Sequence, residues 1–344
     1  MKAPVMFLFS ILVLSTLPAC LAQREQTARP VRPTGKFHPG HYAAVGPRTD
    51  LAEIRRLDEP AVKGVSKRYF WRTLEPEPGV YDFSEIENDL SFLQGHGKQL
   101  VIFLMDKTYS RRSPLPRYLA ARCEYDTDYD GFTPVRWHPY FIERLLALGR
   151  ALGARFDSRP SLEGVAVQES SLAVSDRACR VFGYTPEKYR DALISILTGL
   201  QAAFPRGHVF WYQNFLPGNN GYLRNVADAV GDDGVFMGGP DILPYRRYLS
   251  RVSYPLYQDY RDKLILFCSA QGDSYRHHKN DRSVDEIEPV HPEGFLSMEE
   301  IFLFARDRLH VRYIFWDYEY DLTEPNARTY DDALEAMRKF PEFN

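Results

Sequence analysis

Val62-Lys-Gly-Val-Ser-Lys-Arg-Tyr-Phe-Trp71-Arg-Thr-Leu-Glu75-Pro-Glu-Pro-Gly-Val-Tyr-Asp-Phe83, then Ser84-Glu-Ile-Glu87, and after a short interval Gln99-Leu-Val-Ile-Phe-Leu-Met105, form one repeating unit of the chain. Two apolar runs rich in β-branched and aromatic residues flank a Pro/Gly turn and a segment whose Ser84 and Glu87 have capping-box spacing. Strand, turn, helix and strand in this order make a crossover, and parallel strands can be joined only through such crossovers.

The same alternation continues along the chain. It predicts eight strands: His41 to Val45, Val62 to Phe70, Gln99 to Met105, Leu162 to Gln168, His208 to Tyr212, Gly234 to Gly238, Leu264 to Ser269 and Val311 to Trp316. Helices between them have recognisable starts. Ser297 with Glu300 repeats the capping box, and Thr185-Pro186 sets a cap before a first-turn proline. From Pro186 to Phe204, Tyr189, Leu193, Ile196, Leu197 and Leu200 share one helical face. Eight such units predict an α/β fold, a single (β/α)8 TIM barrel, whose usual size is about 250 residues before insertions. The rival, a doubly wound open sheet, lacks its Gly-rich dinucleotide turn after the first strand.

Composition agrees with one folded domain. Of 344 residues 44% are hydrophobic and 26% charged, which excludes a disordered chain, a collagen and a small disulfide scaffold. Lys and Arg number 43 against 46 Asp and Glu, with no long run of either sign, so no nucleic-acid partner is implied. The unusual feature is 22 Tyr and 22 Phe, enough to fill a core and also to line a site for flat ligands.

The N-terminus reads as a targeting segment. Lys2, the apolar run Val5 to Leu17 and the small residues up to Ala22 have the anatomy of a secretory signal over residues 1–22. The run is too short to remain as a membrane span. Leu17-Pro-Ala-Cys20 resembles a bacterial lipoprotein box, with Cys20 as the lipidated residue, whereas Cys20-Leu-Ala22 offers an ordinary signal-peptidase site. Both readings export the protein, to the periplasm, to the outer membrane as a lipoprotein, or to the medium. A lipid on Cys20 would be its sole membrane contact. Residues 23–35, with Pro30 and Pro33, read as a flexible linker, leaving 36–344 for the barrel.

Export permits disulfides. Cys268, inside Leu264-Ile-Leu-Phe-Cys268, reads as a buried free thiol. Cys123 and Cys179 fall in the loops after strands three and four, which are neighbours in a barrel, so a Cys123–Cys179 bridge is expected. No cysteine has metal-ligand spacing, and His277-His278 near Asp273 and Asp281 make a weak metal motif at best. No metal or other cofactor is implied. The chain has neither a G-x-S-x-G elbow nor an H-E-x-x-H helix.

In a (β/α)8 barrel the chemistry gathers where the strands end. Trp71 to Phe83 resembles the W-x-x-x-E-P-x-x-G-x-Y-D-F segment of clan-A glycoside hydrolases, in particular their bacterial β-galactosidase and endo-glycanase members. The resemblance implies that Glu75 orders this turn. It also implies that Glu169, ending Val165-Ala-Val-Gln-Glu169, is the general acid and base, with Gln168 standing where the clan has Asn and able to bind a sugar hydroxyl. At strand seven the clan places a nucleophilic Glu, but this chain reads Cys268-Ser-Ala-Gln271-Gly-Asp273. Gln271 cannot form a glycosyl ester.

Hydrolysis with two carboxylates then needs another partner for Glu169. Asp273 ranks first, Asp241 in Gly238-Gly-Pro-Asp241 second, and Asp317 in Trp316-Asp-Tyr-Glu319 third. Each has a structural alternative: Asp241 can start a turn, and Asp317 or Glu319 can pair with Arg68. Gln271, Trp71, Trp211, Trp316 and Asp317 are the expected sugar contacts, with Arg68 binding a carboxylate near the barrel floor. The function expected is an exported glycosidase acting on a poly- or oligosaccharide. The alternative is a barrel that has lost hydrolysis and binds glycans at the cell envelope.

Overall fold

Eight parallel strands close on themselves: β1 (Gly40–Val45), β2 (Val62–Phe70), β3 (Gln99–Met105), β4 (Leu162–Val167), β5 (His208–Tyr212), β6 (Phe236–Gly239), β7 (Leu266–Ala270) and β8 (Tyr313–Asp317). Each pairs with its chain neighbour, and β8 pairs with β1 to complete the barrel. This computed structural model describes residues 36–127, 131–277, 294–318 and 327–343. The long helices between strands are α1 (Ser84–Gly95), α2 (Pro139–Phe156), α3 (Pro186–Ala203), α4 (Tyr222–Val230), α5 (Tyr254–Tyr260), α6 (Met298–Asp307) and α7 (Tyr330–Lys339). The predicted single (β/α)8 barrel is therefore the fold. Among the described residues no helix is long and apolar enough to cross a membrane.

Boundaries differ from expectation where the backbone is already committed. β6 starts at Phe236 because Gly234 takes a left-handed φ of +84°. Leu264 and Val311 donate their N–H groups to Tyr260 and Ala305, so both strands begin two residues later than predicted. The Ser297–Glu300 capping box and the Thr185 cap form as expected. At α1 Ser84 is the first helical residue, not the cap, and Asp82 accepts its N–H and hydroxyl.

Alternation along the strands accounts for the aromatic surplus. Inward positions carry Tyr42, Phe103, Phe210, Tyr212, Phe236, Phe267, Tyr313 and Phe315, which fill the barrel as one cluster. Phe210 is central, with edge-to-face contacts of 5.2 to 5.5 Å to Phe236, Phe267, Tyr313 and Phe315. Such pairs contribute about 0.5–1.5 kcal/mol each beyond area burial. Outward residues, among them Val65, Ile102, Val165, Val209 and Ile314, pack beneath the helices. Gly238 is required on the inner face, because a Cβ there would lie 2.2 Å from the Phe267 carbonyl oxygen.

A polar plug closes the bottom. Fully buried Glu163 accepts hydrogen bonds from the His38 backbone (2.8 Å) and the Tyr313 hydroxyl (2.6 Å), and pairs with the His38 ring (2.7 Å). Burial alone would raise the Glu163 pKa, yet these donors bring it below the usual range. The floor carboxylate thus has its own partner, and Arg68 stands near the other end of β2. The expectation of Arg68 at the floor is corrected accordingly.

Cys123 and Cys179 are both free, which overturns the expected bridge. Cys123 ends the short helix Arg117–Cys123 and points into the core against Phe141, where burial raises its thiol pKa to about 11. Cys179 lies on the exposed side of the helix Asp176–Phe182. Cys268 is a buried free thiol, as expected.

Candidate active site

A cleft of about 430 Å³ opens at the C-terminal ends of the strands. Its walls include Arg68 and Phe70 from β2, Phe103 and Met105 from β3, Lys107 and Tyr109 beyond it, Gln168 and Glu169 beyond β4, Tyr212 from β5, and Gln271 beyond β7. Sequence-predicted Arg68, Gln168, Glu169 and Gln271 are thus brought together.

Glu169 is held from every side. The amide oxygen of Gln168 accepts the N–H groups of Asp106 (2.7 Å) and Lys107 (2.6 Å), tying the end of β3 to that of β4. Lys107 is thereby aimed at Glu169, and its Nζ donates to Oε1 (2.7 Å) and to the Ser171 carbonyl (3.0 Å). Asn214 donates to Oε2 at 2.7 Å. Tyr109 reaches Oε1 at 3.4 Å. Behind the carboxylate, buried Arg136 donates to the Glu169 carbonyl (2.7 Å) and makes a bidentate pair with Asp106, both contacts 2.7 Å. Burial pushes the Glu169 pKa up, but the Lys107 charge and the hydrogen bonds outweigh it and hold the group below its usual range. Glu169 is ionised at neutral pH.

Asp241 is its opposite. It follows the wall residue Pro240, and burial, then the charge of Glu169, then that of Asp273 raise its pKa to about 7, with Arg246 acting the other way. Two carboxyl groups at one mouth therefore differ in their affinity for a proton. Asp273, ranked first from the sequence, pairs with Arg276 at 2.6 Å in the short helix Gly272–Tyr275 and is about half exposed. Asp273 is thus engaged by Arg276, whereas Asp241 is the carboxyl whose proton affinity the charge of Glu169 helps to raise. Asp317 ends β8, where its carbonyl accepts the Tyr275 hydroxyl. Glu319 lies outside the described residues, as do His278, Asp281 and Cys20.

None of the three predicted tryptophans reaches the cleft. Trp211 lies on the outward face of β5 between inward Phe210 and Tyr212, and is fully buried beneath the helices. Trp316 is outward on β8 and donates to His41 (3.0 Å). Trp71 packs edge-to-face on Phe141 and donates to Glu75 (2.9 Å). Strand parity decides this for Trp211 and Trp316, since a tryptophan near a strand end still faces the helix layer when its neighbours face the barrel, whereas Trp71 opens the short helix Trp71–Leu74. Glu75 is the expected turn-ordering residue, buried and bound also by the Gly79 N–H and by Arg144.

Sequence reasoning passed over Lys107, Tyr109 and Arg136, while Tyr212 and Asn214, at the end of strand five, read only as aromatic and amide rim residues suited to a sugar. The rule of searching just past each strand reaches Asp106-Lys107 directly. Arg136 has no such signal, since it lies thirty positions further on and arrives through the fold. His277 is buried and accepts the Tyr245 N–H at 3.2 Å. Among the described residues no group of three His, Cys, Asp or Glu side chains could hold a metal ion.

No protein-family model matches the sequence, and no curated protein matches it. Solved structures do. The β-galactosidase from the psychrophilic Marinomonas ef1 aligns at TM-score 0.56 and 11% identity, over 87% of this chain and 58% of that one. Endo-glycoceramidase II from Rhodococcus sp., in an iminocyclitol complex, aligns at 0.55 and 12%, over 88% and 80%. GH5_18 from Streptomyces cattleya, in complex with GlcNAc, aligns at 0.55 and 13%, over 90% and 81%. The barrel is what they share. This chain spans somewhat over half the length of the β-galactosidase chains it matches.

Proposed function

We propose that the protein is a glycoside hydrolase that cleaves a poly- or oligosaccharide in the mouth cleft. The observation that carries this is the contrast between two carboxyls at the strand ends: Glu169 is held ionised by Lys107 and Asn214, and its charge helps to raise the proton affinity of Asp241. The barrel shared with β-galactosidase and endo-glycoceramidase structures supports the same reading. The roles are exchanged relative to the resemblance. Asp241 gives its proton to the glycosidic oxygen as the bond from the anomeric carbon to that oxygen breaks, and Glu169 takes a proton from the water that attacks this carbon. Each step leaves one carboxyl protonated and one ionised, so a proton returned through solvent resets the site. No cofactor enters this scheme.

A second reading has one feature in its favour. Gln271, an amide, lines the cleft where a carboxylate nucleophile is expected. In that reading the cleft binds glycans without cleaving them. Reducing-end release and binding across a polysaccharide panel separate the two for wild type and Glu169→Gln. Hydrolysis predicts turnover that falls by about 10²–10⁴-fold in the variant. Binding without turnover, unchanged by Glu169→Gln, supports the binding module and sinks the hydrolase.

The N-terminal signal supports action at or beyond the cell envelope. With lipidation at Cys20, Cys20→Ser moves the protein from the membrane fraction to the soluble one. An unchanged distribution speaks for ordinary signal-peptidase cleavage.

A further inference from the structure

Among the described residues that line the cleft, Arg68 is a cation that the proposed chemistry does not use. Arg68 is an inward residue of β2, in register with Phe103, and its guanidinium lies 5.7 Å from the centre of that ring. Among the described residues no carboxylate pairs with it. A guanidinium that is partly withdrawn from water without a counter-charge is costly, and its planar fork fits a carboxylate or sulfate at two points.

Next to it the rim is also basic. Arg72 stacks over Phe70, a wall of the cleft, at 3.8 Å and donates to the Ser113 carbonyl. Burial lowers its pKa, and the charges of Arg112 and Arg48 lower it further. The charges of Arg48 and Arg112, from the connections after β1 and β3, thus act on Arg72, which meets the cleft wall through Phe70, and among the described residues none of the three has a carboxylate partner. The chain as a whole is slightly acidic, with a net charge of −3, so the cluster does not follow from composition.

We propose that the cleft takes an anionic saccharide, with a carboxylate or sulfate group seated on Arg68 and the neighbouring sugars crossing the rim of Arg48, Arg72 and Arg112. This rests on the reading of the cleft as a glycan site and names the class of glycan. Selection comes from charge as well as shape: a neutral chain leaves Arg68 unpaired, and an anionic one satisfies it.

The test is calorimetric titration of the full chain carrying Asp241→Asn, which slows cleavage without removing a cation. Oligogalacturonate is compared with its carboxyl-reduced form, and chondroitin sulfate oligosaccharides with their desulfated form. At least one charged form is expected to bind about 10- to 100-fold more tightly than its neutral counterpart. The pair that shows the preference tells carboxylate from sulfate. Adding Arg68→Gln is expected to abolish the preference, Arg68→Lys to restore part of it, and raised salt to weaken it. Should Arg68→Gln fail to fold, Arg72→Gln with Arg112→Gln on the rim serves in its place. Equal binding of charged and neutral forms overturns the proposal, as does equally tight binding of a single-stranded DNA oligonucleotide. The two readings fail separately. Cleavage of neutral glycans without charge preference leaves the hydrolase standing and removes this inference. Charge preference without any cleavage by the wild type does the reverse.

Discussion

Asp241→Asn is expected to lower the turnover of an unactivated glycan by about 10²–10⁴-fold, the usual contribution of a positioned general acid. The pH profile makes the assignment specific. Asp241 must be protonated to act, and its pKa is raised to about 7, so wild-type kcat/KM falls as pH rises through about 7. Glu169 must be ionised, and its pKa is lowered, so activity on the acid side falls only below its usual value of 4.5. In Asp241→Asn the alkaline limb disappears. Aryl glycosides whose leaving group needs no proton are expected to be largely spared, which a merely structural defect would not do. An alkaline limb that persists in the variant would place the acid elsewhere, with Asp273 the next candidate.

Arg136→Met has the largest expected effect on stability. The guanidinium is buried, makes a bidentate pair with Asp106, and donates to the Glu169 carbonyl and to the Tyr189 hydroxyl (3.1 Å). Removing it leaves Asp106 buried and charged without its partner, a change that costs about 3–5 kcal/mol. Thermal unfolding should fall by roughly 5–15 °C for a chain of this size. The double variant Asp106→Asn with Arg136→Met is expected to recover part of the loss, because no buried charge remains. If the single variant unfolds within a degree or two of wild type, the pair is not holding the mouth together. Activity should suffer as well, since the Glu169 backbone hangs on the same guanidinium.

Much of this protein is legible locally. Capping boxes and alternating apolar runs place the elements, because those patterns depend on neighbours a few residues apart. The eight strands lie at the predicted places to within about two residues. Glu169 and Gln168 could be located by the rule that chemistry gathers at strand ends. The misreadings share a different cause. Trp211 and Trp316 stand near strand ends, and only the parity set by inward Phe210 and Phe315 turns them toward the helices. Cys123 and Cys179 sit in adjacent loops, yet one thiol faces the core and the other solvent.

The repeating unit around Val62 to Met105, with its copies along the chain, was sufficient by itself for the barrel, because periodicity and turn chemistry act over short range. The ionisation of Glu169 and Asp241 was not readable in that way. It depends on Lys107 and Asn214 arriving from β3 and β5, and on how far each carboxyl is withdrawn from water. Charge interactions and burial are properties of positions in space, so only the closed barrel decides which carboxyl holds the proton and brings Arg68 to the cleft with no carboxylate partner among the described residues.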